Sequence, residues 1–218
     1  MMRLTVLAVV LLGGVSVQAQ HGAEALPEEL VETFEALQAE VEKDPAKLER
    51  VIEAGRERAT FCNTCHGPDG NAQRPNYPSL AGQNPVYLLD QIEQFADASR
   101  EKLVMNVLAE TFTTEEKTTL AIYYSHMDLE PTDYDPEPAS RGASVYQLRC
   151  AQCHGAGGLG EAGYARIAGQ QPQYVAKVLR EYRSGNSPRR MSVMYGISSA
   201  LSESDIDAVA HYAASLRR

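Results

Sequence analysis

Four cysteines fall in two copies of one pattern, and that pattern limits what the chain can fold around. Cys62-Asn63-Thr64-Cys65-His66 and Cys150-Ala151-Gln152-Cys153-His154 are both C-x-x-C-H, and no cysteine lies outside them. Two intervening residues put both thiols on one turn, and the histidine that follows can swing beneath a flat group held by the sulfurs. Haem c attachment needs this spacing: two thiols add across the two vinyl groups, and the histidine ligates the iron. A redox-active dithiol needs a βαβ setting, and no strand pattern flanks either copy. One four-cysteine zinc site would join pairs 88 residues apart and leave both histidines without a role. Two covalent haem c groups are therefore expected, one on Cys62, Cys65 and His66 and one on Cys150, Cys153 and His154.

The surroundings of the motif recur as well. Leu80-Ala81-Gly82-Gln83-Asn84-Pro85-Val86-Tyr87 parallels Ile167-Ala168-Gly169-Gln170-Gln171-Pro172-Gln173-Tyr174, and Thr113-Thr114-Glu115-Glu116 parallels Ser202-Glu203-Ser204-Asp205. Two tandem copies of one unit explain this better than one large domain. Each unit reads as helices. Lys47 to Phe61 and Ala139 to Ala151 run into the motifs, and Pro85 and Pro172 suit the first position of a second helix. Leu88, Leu89, Ile92 and Phe95, and Val175, Val178, Leu179 and Tyr182, then recur at helical spacing. Thr113-x-x-Glu116 and Ser202-x-x-Asp205 read as capping boxes opening a final helix. Units of this size bury little surface alone, and the chain has no Trp and four Phe, so each needs the apolar slab of a haem to complete its core.

Outside the repeats the sequence is also informative. Met1-Met2-Arg3, the apolar run Leu4 to Val15 and Val17-Gln18-Ala19 form an export signal, with cleavage expected after about Ala19. Residues 20–45 are an addition with an apolar helical stripe of Leu30, Val31, Phe34, Leu37 and Val41, ended by Asp44-Pro45. Such a stripe packs on the first unit or docks a partner. Met127 to Gly142, with Pro131, Pro136, Pro138 and five acidic residues, reads as a semi-extended linker. The expected organisation is signal 1–19, extension helix 20–45, first unit 46–127, linker 128–138 and second unit 139–218. The net charge of −9 excludes a nucleic-acid binder. It is unevenly split: residues 20–137 carry −15 and residues 138–218 carry +5.

The repeat also nominates the second axial ligands. Met105 and Met194 each lie seven residues before an apolar residue, Phe112 or Leu201, at the same repeat position. They follow His66 and His154 by 39 and 40 residues, in segments expected to be irregular. Met191, Met127, His126 and His211 are weaker candidates, because repeat position or a helical setting speaks against each. Histidine and methionine together raise the potential and leave no open site on iron, which favours electron transfer over catalysis. No catalytic residue is nominated.

With both C-x-x-C-H motifs, both L/I-A-G-Q segments and both methionines in view, residues 46–217 resemble the cytochrome c4 family. The resemblance implies an all-α fold of two tandem class I cytochrome c domains, each a small helical bundle around a covalent haem. The resemblance also implies that the domains are related by a pseudo-twofold axis, with haem propionate edges facing each other. It implies a periplasmic carrier, loosely membrane-associated, taking electrons from a membrane cytochrome and feeding a terminal haem-copper oxidase. Within such domains a small residue on the first helix meets an aromatic on the last: Gly142 with Tyr212, and more loosely Ala54 with Tyr123. A proline carbonyl commonly accepts the proximal histidine N–H; Pro78 fits, whereas the second copy has Ala165. Arg58 also stands where the second copy has Tyr146, a position usually aromatic.

Three functions compete at this stage. The first is the free electron carrier. The second is a dihaem electron-transfer subunit of a periplasmic sulfide or sulfur-compound dehydrogenase, with the extension as its docking element. The third, a dihaem peroxidase, needs an open sixth position that the two methionines deny. The charge split further suggests that the basic second unit docks an acidic surface through Arg189 and Arg190.

Overall fold

The computed structural model describes residues 26–160, 163–189 and 192–217. The expected export signal, its cleavage point, Arg190 and Met191 lie outside these. Among the described residues there is no strand, and no helix is long and apolar enough to cross a membrane. Helix α1 (Glu28–Lys43) buries Leu30, Phe34 and Val41 and leaves its glutamates outward. Asp44 closes it and caps α2 (Pro45–Arg58) by accepting from the Ala46 N–H at 2.9 Å, with Pro45 at the first helical position. The buried side chains of α1 join the core of the first half, against α2 and α6 (Thr114–Ser125). Each fully buried apolar side chain contributes about 1.5–3 kcal/mol, so the stripe is accounted for by packing.

The two halves repeat one arrangement. In the first, α2 leads through the short α3 (Asn63–His66) to α4 (Pro85–Ala96), α5 (Leu103–Glu110) and α6. In the second, α7 (Pro136–Arg149) leads through α8 (Ala151–His154) to α9 (Pro172–Arg183), α10 (Met194–Ser199) and α11 (Glu203–Ser215). Helices α2 and α6 pack as α7 and α11 do, and α4 meets α5 and α6 as α9 meets α10 and α11. Both capping boxes form, Thr113 with Glu116 and Ser202 with Asp205. Helix α7 begins at Pro136, inside the stretch expected to be linker, because Asp135 caps it and Pro136 suits its first turn.

The first-to-last helix contact corrects one residue. Gly142 does meet Tyr212, and a Cβ there would lie 2.1 Å from the Ala208 carbonyl oxygen. In the first half the contact is made by Gly55, whose Cβ would fall 2.4 Å from Tyr123 Cβ, while Ala54 is exposed. The stretch from Gly55 to Cys62 is one residue shorter than that from Gly142 to Cys150. A 3₁₀ turn over Ala59–Phe61 absorbs the difference. Three residues rising about 2.0 Å each span what four α-helical residues span at about 1.5 Å. Arg58 lies over the Phe112 ring and pairs with Glu116 at 2.7 Å, whereas Tyr146 is fully buried beside Tyr212.

Loops join the halves. The segment between α6 and α7 is fixed at both ends. Asn71 bonds Asp128 and Glu130, the Thr132 hydroxyl donates to the Gly169 carbonyl at 2.8 Å, and the Asp135 N–H donates to His211 Nδ1 at 2.9 Å. Beyond it, the recurring L/I-A-G-Q segments interlock. The Gln83 amide donates to the Arg166 carbonyl at 2.9 Å and accepts from the Arg166 N–H at 2.5 Å. Its repeat partner Gln170 does the same with Ser79, at 2.9 and 2.8 Å. Asn84 donates to the Gly160 carbonyl at 2.7 Å, and Gln171 to the Ala72 carbonyl at 2.6 Å. These glutamine and asparagine bonds pair off under a pseudo-twofold axis, Gln83 with Gln170 and Asn84 with Gln171.

Candidate haem-binding sites

Each C-x-x-C-H motif is one helical turn. The Cys62 carbonyl accepts from the Cys65 and His66 amides at 3.1 and 2.9 Å, and the Cys150 carbonyl from Cys153 and His154 at 3.2 and 2.9 Å. Gly67 (φ 76°) and Gly155 (φ 78°) end the turns in a conformation that side chains disfavour. At Gly67 a Cβ would also land 1.8 Å from the Asn71 carbonyl oxygen.

Both histidines are oriented identically. His66 Nδ1–H donates to the Pro78 carbonyl at 3.0 Å, and His154 Nδ1–H to the Ala165 carbonyl at 2.8 Å. A carbonyl can only accept, so the proton sits on Nδ1 and Nε2 keeps its lone pair for a metal. The loss of proline in the second copy costs no bond, since any residue supplies the carbonyl. Burial lowers the His66 pKa against the pull of the Pro78 bond, with the Arg100 charge adding to the fall. A neutral imidazole is the ligating form. Tyr77 and Tyr164 each stand edge-on to the adjacent histidine at 6.3 Å between ring centroids. Sequence reading passed over this pair, although repeat position would have found it.

All four thiols are free of disulfides. Burial raises the Cys62 pKa and pushes that of Cys150 up to about 11. An exchange nucleophile is tuned the opposite way, so neither Cys62 nor Cys150 has the character of one. One continuous cavity of about 1090 Å³ is lined by both thiol pairs, both histidines, Met105 and Met194. That is far larger than any gap a packed protein interior leaves. Met105 lies in α5 and Met194 opens α10, so the methionines sit on short helices rather than in irregular chain. His126, His211 and Met127 do not line the cavity; the first two are engaged with Ile122 and Asp135, and Met127 packs on the first core.

The donor set fits haem c twice over: paired thiols, a histidine with Nε2 available, a thioether in the same cavity, and an apolar interior. Buried Arg100, whose Nε has no partner, lines that cavity too. Arg189 belongs beside it. At 8% exposure it is a buried residue between the halves, bonded to Tyr174 and Gln91, and not the surface cation its sequence context suggested. Arg149, exposed next to Cys150, is a surface cation at the second site.

Comparison with known proteins agrees with this geometry. Residues 137–212 match the family described as cytochrome c oxidase, cbb3-type, subunit III. Cytochrome c4 of Pseudomonas aeruginosa is 32% identical over 171 residues, covering 73% of this chain and 85% of that protein. A thiosulfate dehydrogenase electron acceptor of Stutzerimonas stutzeri is 42% identical over 172 residues, covering 72% and 80%. The crystal structure of reduced recombinant cytochrome c4 from Pseudomonas stutzeri superposes with a TM-score of 0.70 at 30% identity, covering 76% of this chain and 98% of that one. The chain therefore belongs to the cytochrome c4 family, dihaem c-type cytochromes that carry two covalent haems and transfer electrons.

Proposed function

We propose that the halves 46–127 and 139–218 are two cytochrome c units with His66 and Met105 on one iron and His154 and Met194 on the other. Cys62 and Cys65, and Cys150 and Cys153, tether the porphyrins. The bound haems supply the reversible ferric–ferrous couple. The carrying observation is that both complete donor sets line one continuous cavity. The protein residues hold and tune. The carbonyls of Pro78 and Ala165 hold each imidazole with Nε2 free to ligate, the thioethers would favour the ferrous state, and the surrounding apolar side chains would exclude water. With His66 and Met105, and His154 and Met194, as its ligands, each bound iron would have no open position for a substrate, and the chemistry it would supply is outer-sphere electron transfer. The exported chain then works in the periplasm between a membrane cytochrome donor and a terminal haem-copper oxidase.

Spectra and haem quantitation of the purified protein test this. Two covalent haems per chain and a weak sulfur-to-iron band in the oxidised form are expected; a colourless protein overturns it. Met105→His and Met194→His should each lower one haem's potential while leaving it six-coordinate, and an unmoved pair of potentials rejects the ligands. A second reading is favoured by the 42% identity to a thiosulfate dehydrogenase electron acceptor: service to a sulfur-compound dehydrogenase. Purification from the native host separates the two, since a carrier comes out alone and a subunit brings its catalytic chain.

A further inference from the structure

Leu26 and Pro27 belong to the extension, outside the region 46–217 that carries the repeat, yet both line the cavity that holds Cys62, Cys65 and Met105. Leu26 is half-buried and packs against the core of the first half. Its place is fixed from both sides. A residue before proline is confined to extended backbone. The Pro27 carbonyl accepts from the Leu30 and Val31 amides at 3.0 and 3.1 Å and so opens α1, whose Leu30, Phe34 and Val41 are buried in the same core. The second half has nothing equivalent. Its walls match those of the first where the repeat supplies them: Val175 for Leu88, Leu179 for Ile92 and Met194 for Met105. The segment that leads into its first helix takes another course, with Thr132 bonded to Gly169 and Asp135 to His211. Among the described residues none between Tyr124 and Arg149 lines the cavity. The proximal histidines differ in the same sense, His66 being buried and His154 half-buried.

Packing accounts for Leu30, Phe34 and Val41, none of which lines the cavity. It does not account for an apolar side chain of the extension set into the cavity wall. Resting on the dihaem reading above, we propose that the extension is a wall of the first haem pocket alone, and that Leu26 keeps water from that pocket and so raises the potential of the first haem. The sign follows from charge. The ferric centre carries one more positive charge than the ferrous, and water stabilises the more charged form, so an apolar wall favours the added electron. Phe61, Leu103 and Val104 of the same lining stay exposed, so this wall restricts water without sealing the pocket. Two centres that the repeat makes alike are thereby made unequal by a segment that is not repeated.

Potentiometric titration of the loaded full chain, followed by absorbance, tests the proposal. A Met194→His background tells the haems apart, because the second then titrates separately at lower potential. Leu26→Asn, which sets a polar group in the wall, should lower the midpoint potential of the first haem and leave that of the second in place. Leu26→Ala should act in the same direction to a smaller extent, and it carries the test should the Asn variant fail to load both haems. Leu37→Ala is the control, since Leu37 packs on the same core without lining the cavity. It should lower the melting temperature and leave both potentials where they were. An unmoved first haem, an equal fall at both haems, or a fall with Leu37→Ala as large as that with Leu26→Ala overturns the wall. Failure of the dihaem reading would show separately, as missing covalent haem in the unmutated protein.

Discussion

Replacing Gln170 by leucine should loosen the joint between the halves by an amount that the structure sets. The side chain accepts from the buried Ser79 N–H at 2.8 Å and donates to the Ser79 carbonyl at 2.9 Å. The carbonyl keeps a second donor, Arg166 Nη2 at 3.3 Å, but the N–H has no other acceptor in reach. A stranded buried donor costs about 1–3 kcal/mol and a lost but replaceable bond about 0.5–1.5, so about 2–4 kcal/mol is expected. Gln83→Leu removes the corresponding pair of bonds to the Arg166 backbone. For a chain of this size each kcal/mol moves the melting temperature by about 2–4 °C, giving a fall of about 5–15 °C per variant. The two amides close one interface, so their effects should not add. Calorimetry of the haem-loaded double variant should show one coupled transition resolving into two. A double variant that melts in a single transition within 1 °C of the parent would refute the clamp.

Two other outcomes follow from the local geometry. Gly55→Ala should destabilise by about 1–3 kcal/mol in denaturant titration, because its Cβ meets Tyr123 at 2.4 Å, whereas Ala54→Ser should stay within about 0.5 kcal/mol. Hydrogen bonds from Arg180 and then Arg183 hold Glu203 below its ordinary value of 4.5, so its stabilising contribution is complete above that pH and is lost as pH falls below it. Thermal melts from pH 6 to pH 3 should be flatter for Glu203→Gln than for the parent, and parallel profiles contradict the assignment.

The haem attachment residues were legible because their spacing is chemistry: thiols two apart and a following histidine have few uses besides this one. The helices were legible where a local signal existed, as at Thr113 and Ser202, whose capping boxes form. What escaped was whatever depends on a partner distant in sequence. Gln83 and Gln170 were visible as repeated letters, but a glutamine carries no mark of whose backbone it will clasp. Gly55 was displaced by its neighbour Ala54 because the 3₁₀ turn that shifts the register has no strong sequence signature. Arg189 looked like a surface cation for the same reason: charge is readable from composition, burial is not.

A pseudo-twofold joint has a logic that separates its two polar elements. Any group near such an axis meets the environment of its own counterpart. An amide tolerates this, since it donates and accepts at once. Gln83 and Gln170 can each bond both the N–H and the C=O of one facing residue, and the clamp closes on itself. A guanidinium cannot do so, because it only donates and carries a charge that its counterpart repeats. Duplicating the unit therefore makes the glutamines self-sufficient and leaves Arg100 Nε without an acceptor. The amides need nothing beyond the polypeptide to hold the halves together.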